Sequence, residues 1–136
     1  MTGPNAAPAP SAARGILLVA HGARDPAWRA PIEAIARRLR ALAPGIWVQC
    51  AYLEHSVPDL PAAVAQAAAA SVKTLRVCPL FLGAGRHARQ DLPRLLRQLQ
   101  NTWPAMVFDL QAPVFEQPQV IDALATAALA PAFPKK

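Results

Sequence analysis

Two kinds of segment alternate along this chain. "GILLVAHG" (15–22) is a short continuous apolar run bounded by glycines, the pattern of a strand buried on both faces. "IWVQCAYLE" (46–54), "TLRVCPLFL" (74–82) and "MVFDLQAPVF" (106–115) read as three further strands, the last interrupted near Pro113. Between them, apolar residues recur at helical spacing. Asp25-Pro26 reads as an N-cap with proline at the first helical position. Trp28, Ile32, Ile35, Ala36, Leu39 and Leu42 then form a stripe that ends before Pro44-Gly45, with Trp28 expected in the core. "SVPD" (56–59) has the form of a capping box, Asp59 standing where Glu is more usual, and opens an Ala-rich helix to about residue 70. "GAGRHARQ" reads as a loop or an irregular first turn. Asp91 is expected to cap the next helix, whose Leu92, Leu95, Leu96 and Leu99 share a face. A last helix is predicted over roughly 117–130.

Strand then helix, four times over with no hairpin signal, predicts an α/β fold. The expected form is a single three-layer domain with a four-stranded parallel sheet, flavodoxin-like in order. Its expected span is 14–130. Residues 1–13 and 131–136 are Pro- and Ala-rich or polar and are expected to be loose tails.

Composition narrows the function classes. The chain has 136 residues, 54% of them hydrophobic and 16% charged, enough to bury a sizeable core and too apolar for a disordered or fibrous protein. A formal charge of +6 suits either an Arg-rich background or an anionic partner. The arginines are scattered and no aromatics interleave with them, so nucleic acid is not the expected partner. Cys50 and Cys78 each sit inside an apolar run without CxxC spacing and read as small core residues of a reducing compartment. The first 14 residues lack the apolar stretch of a secretory leader, and the Ala-rich stretch 62–72 is too short and too weakly apolar to span a bilayer. The cytoplasm is the expected location, with no membrane partner.

In an open parallel sheet, ligands bind beyond the carboxyl ends of the strands, where strand order reverses. The first strand ends in His21-Gly22 and the second in Glu54-His55. The third leads through Gly83 and Gly85 to His87. All three histidines therefore fall on one rim, and His21 and His87 flank the switch point if strands one and three are neighbours. Imidazole and carboxylate can ligate a divalent transition metal or accept protons near neutrality, and glycine lets a large ligand approach the backbone. The alternatives are ordinary: loop hydrogen bonds for His21, a solvated turn for Glu54 and His55, and surface ion pairing for Arg24.

"LVAHGARDP", "YLEHSVPDLP" and "CPLFLGAGRHARQDLP" together resemble the signature blocks of the class II chelatases, over about residues 15–125. The resemblance implies insertion of a divalent metal (Co²⁺, Fe²⁺ or Ni²⁺) into sirohydrochlorin, for cobalamin or sirohaem, without ATP. The metal would be a substrate, and no organic cofactor is expected. The family's metal-binding or proton-accepting residues map onto His21, Glu54 and His87. Gly22, Arg24, Gly85, Arg86 and Arg89 are the expected contacts to the tetrapyrrole and its carboxylates. Short members of the family are single domains that act as homodimers. Two positions depart from the pattern: Ala23 replaces a serine, and His55 follows Glu54 as a third ligand or as nothing.

Other readings use the same residues. A non-catalytic carrier of metal or tetrapyrrole would bind both without speeding their union. A histidine phosphatase would use His21 as nucleophile, but Ala20 stands where its phosphate-binding arginine would be. A plain binding module would leave the histidines incidental.

Overall fold

A computed structural model describes residues 13–81 and 86–134, with side chains in the second stretch from residue 91 onward. Strands β1 (Arg14–Ala20), β2 (Trp47–Tyr52), β3 (Thr74–Pro79) and β4 (Val107–Leu110) alternate with helices α1 (Ala30–Leu42), α2 (Leu60–Ala69), α3 (Arg86–Thr102) and α4 (Pro118–Leu129). The sheet is parallel throughout, in the order β2-β1-β3-β4. β1 and β3 are neighbours, so strand order reverses beside β1, as the flavodoxin-like expectation requires.

Period-two alternation sends the residues of β1 to opposite faces, and both faces are buried. Leu17 and Val19 pack with Leu75 and Val77 against α2 and α3, where Leu60, Val64, Leu92, Leu96 and Leu99 close the larger core. Leu18 and Ala20 pack with Val48, Cys50, Tyr52 and Cys78 against Ala36, Ile32 and Leu39 of α1. Both cysteines are buried and free, as expected. No helix of the described residues is long and apolar enough to cross a membrane.

Three local expectations change, and the last helix proves peripheral. Residues 26–29 form a 3-10 turn rather than the first turn of α1, with the Asp25 carboxylate accepting from Ala27 N at 2.9 Å. The tighter winding shifts the phase of the apolar stripe. Ile32, Ala36 and Leu39 meet the sheet, whereas Trp28 is 71% exposed and Ile35 and Leu42 also face solvent. At α2 the capping residue is Asp59, which accepts from Ala62 N at 2.9 Å, while the Ser56 hydroxyl donates to the Ala23 carbonyl. Asp91 lies inside α3 and pairs with Arg94 at 3.1 Å, because the good helix formers preceding it carry the helix back past Pro93 to Arg86. Finally, α4 buries none of its residues, and its main neighbour is the 3-10 turn Val114–Glu116. Of the expected terminal tails 1–13 and 131–136, residues 1–12 and 135–136 lie outside the described residues, and 131–134 are exposed and form no helix or strand.

Burial has a consequence at high pH. It lifts the Cys78 thiol from 9.0 to about 11, against a smaller opposing pull from Arg76. It lifts the Tyr52 hydroxyl from 10.0 to about 12, with smaller contributions from Cys50 and Glu33. The folded chain thus keeps protons that the unfolded chain releases, so this stabilisation is whole below about pH 9 and is lost as pH rises through 11 and 12. The denaturant midpoint is expected to hold from pH 7 to 8.5. Above that it should fall, as the unfolding free energy drops by at most about 1.4 kcal/mol per pH unit for each group. Tyr52→Phe should flatten the upper part of the fall.

Candidate active site

The chemistry sits at the carboxyl edge of the sheet because the pairing of β1 and β2 runs on past the regular strands. Leu53 N donates to the Ala20 carbonyl at 3.1 Å, and Glu54 N donates to the His21 carbonyl at 3.0 Å. These two bonds bring residues 21 and 54 side by side from distant parts of the chain. Gly22 permits the approach. Its φ is +94°, and a Cβ there would stand 1.8 Å from the Glu54 carbonyl oxygen.

Loop 53–59 is strapped down on both sides. Ser56 ties it to Ala23 at 3.1 Å, and Tyr52 N donates to the Pro58 carbonyl at 3.0 Å before Asp59 starts α2. His55 sits in the left-handed region at φ 64°, an unusual conformation for a residue with a Cβ.

Side chains then meet in a row. His21 Nε2 lies 3.9 Å from one Glu54 carboxylate oxygen, and His55 Nε2 lies 3.7 Å from the other. The Glu54 carboxylate thus stands between two imidazoles, close enough for ion pairing with either once protonated and for bridging through water. The His21 ring meets Phe81 edge-on, centroids 6.0 Å apart at 81°, which gives the imidazole an apolar backing beyond β3. His21 and Glu54 are more than half exposed, so the row faces an incoming ligand.

Two hollows flank it. One, of about 440 Å³, is lined by Arg24, Arg29, Glu54, His55 and Ser56. The other, of about 350 Å³, is lined by His21, Gly22, Trp28, Ile32, Tyr52 and Leu80, with Arg29 at the edge of both. Asp25 spends its carboxylate on the backbone and, among the described residues, Arg24 forms no ion pair, which leaves its guanidinium for a ligand.

His21, Gly22, Arg24 and Glu54 are thus brought together as expected. His87 is the second residue of α3, which starts beyond the carboxyl end of β3, so its backbone belongs to the same edge of the sheet. Arg86 and Arg89 share that first stretch of α3, and Gly85 lies outside the described residues. Among the described residues no three or more His, Cys, Asp or Glu side chains converge to hold a metal ion. His21 and Glu54 offer an open pair of donors rather than a closed structural site. The sequence reading missed Arg29. Its only sequence signal is its place between Pro26 and Pro31, which fix the turn that carries it to the rim.

A doubly covered parallel sheet with an imidazole–carboxylate row at its switch point defines an open α/β ligand-binding protein. The CbiX family model matches residues 15–129, and the chain belongs to the CbiX family. It is 33% identical over 88 residues to the sirohydrochlorin cobaltochelatase of Methanopyrus kandleri, covering 65% of this chain and 61% of that protein. With the protein of the same name from Methanothermobacter thermautotrophicus it shares 37% identity over 82 residues, 60% of this chain and 57% of that one. The matched stretch therefore spans about three fifths of these curated relatives. The crystal structure of a CbiX protein from Marinobacter aquaeolei VT8 superposes with a TM-score of 0.74 at 30% identity, covering 85% of this chain and 93% of that one. The fold is also that of the sirohydrochlorin chelatase SirB of Bacillus subtilis, solved with cobalt. That comparison has a TM-score of 0.73 at 21% identity and covers 88% of this chain and 51% of that one.

Proposed function

We propose that this chain inserts a divalent metal into sirohydrochlorin, Co²⁺ first, with Fe²⁺ and Ni²⁺ as alternative substrates, and without ATP or an organic cofactor. The observation that carries this is the His21–Glu54 pair, open to solvent between two hollows that Arg24 and Arg29 border. The named activity of the curated relatives supports it.

The reaction takes up one metal ion and releases the two protons of the inner pyrrole nitrogens. Glu54 and His21, joined by His87 from the start of α3, are the groups assigned to hold the ion over the ring and to take up those protons. An open pair of donors, His21 and Glu54, binds an ion weakly enough to pass it on. Arg24, with Arg86 and Arg89, is assigned to the peripheral carboxylates of the substrate, where charge-assisted bonds orient the ring. The acting unit in this proposal is a homodimer in the cytoplasm, built on the domain 14–130.

Purified protein mixed anaerobically with sirohydrochlorin and each metal in turn tests the reading. The ring absorbance is expected to change faster than in the protein-free control with at least one of the three ions. Tight binding of metal or ring with no acceleration would instead mark a carrier.

A further inference from the structure

Trp28 is the exposed aromatic of the site. It is 71% exposed, although its place in the apolar stripe predicted burial, and an open indole gains nothing in the folded chain alone. Its position is nevertheless fixed. The Asp25 carboxylate caps the turn, Trp28 N donates to the Asp25 carbonyl at 3.1 Å, and α1 continues directly from the turn's end.

The indole forms one wall of the hollow of about 350 Å³ beside His21, where Ile32 and Leu80 add further apolar surface. Tyr52 lines the same hollow. It is 3% exposed, and its hydroxyl is buried with no hydrogen-bond partner. The neighbouring Cys50 sulfur, a weak acceptor, is the polar group that it faces in the core. A flat apolar wall left open, with the Arg29 guanidinium at its edge, is satisfied by one kind of ligand: a flat aromatic ring with acidic substituents.

We propose that Trp28 is the stacking platform on which the face of the tetrapyrrole rests, with Arg29 receiving its carboxylate side chains. The proposal deepens the reading above and rests on it for the identity of the ring. Stacking holds the macrocycle flat beside His21 and acts on ring binding, not on metal or proton transfer.

The test titrates metal-free sirohydrochlorin into the native protein, Trp28→Ala and Trp28→Phe, and follows ring absorbance and steady-state rates. Trp28→Ala is expected to weaken ring binding and raise the KM for sirohydrochlorin about tenfold, with the KM for metal unchanged. Trp28→Phe should stay within about threefold of native, and neither change should shift the melting temperature, because the side chain is exposed. Native-strength ring binding by Trp28→Ala would overturn the inference, whatever the rates. Ring binding that depends on Trp28 in a protein that inserts no metal would uphold it and remove the chelatase reading instead.

Discussion

His21→Ala is expected to lower the rate of metal insertion about a hundredfold or more, with the fold intact. The magnitude is that of losing a positioned ligand or base from a proton-releasing step. The imidazole is two-thirds exposed and, among the described residues, meets a carboxylate at 3.9 Å and the edge of Phe81. Its removal leaves no buried cavity and no unpaired buried group, so circular dichroism and the melting temperature should match the native protein. Asn in its place should recover little, since an amide neither takes up a proton at neutral pH nor ligates as strongly as imidazole. A variant that keeps the native rate would remove His21 from the reaction.

Gly22→Ala acts through the backbone. Its Cβ would stand 1.8 Å from the Glu54 carbonyl oxygen and 3.3 Å from the Tyr52 Cβ, at a φ of +94° that alanine adopts poorly. The atom in the way is main chain and cannot rotate aside, so the end of β1 must part from the end of β2. The bond from Glu54 N to the His21 carbonyl is the first one lost. A destabilisation of about 3 kcal/mol or more is expected from strain of this kind, read as a fall in the denaturant midpoint. Insertion should fail even at temperatures where the variant is folded, because the proposed site needs His21 and Glu54 side by side. A variant that melts with the native protein and inserts metal normally would show that the two strand ends need not touch.

The strands and the sheet order were legible because β1 is apolar without interruption, which suits only a central strand covered on both faces. The meeting of His21 with Glu54 was legible for the same reason: adjacent parallel strands end at one edge, so residues just past their ends are neighbours. What the pattern hid was set by local winding and by tertiary contact. Trp28 matches the helical stripe in sequence, yet the 3-10 turn rotates it out of the core, a shift in phase that residue type does not encode. Asp91 looks like a cap before Pro93, but α3 starts at Arg86 and carries that proline in its interior, at the cost of one main-chain hydrogen bond. His55 had no decisive signal, because its approach to Glu54 depends on a left-handed backbone held by the straps at Ser56 and Pro58.

In the proposed reaction His21 and His87, which follow neighbouring strands β1 and β3, serve one ligand. A double-mutant cycle on the rate of cobalt insertion tests this most directly. Groups that act on one bound ion lose their effect together, so His21→Ala with His87→Ala should be about as slow as either change alone. Losses that multiply, or a native rate in the His87→Ala single variant, would place the two histidines in separate sites and contradict the account.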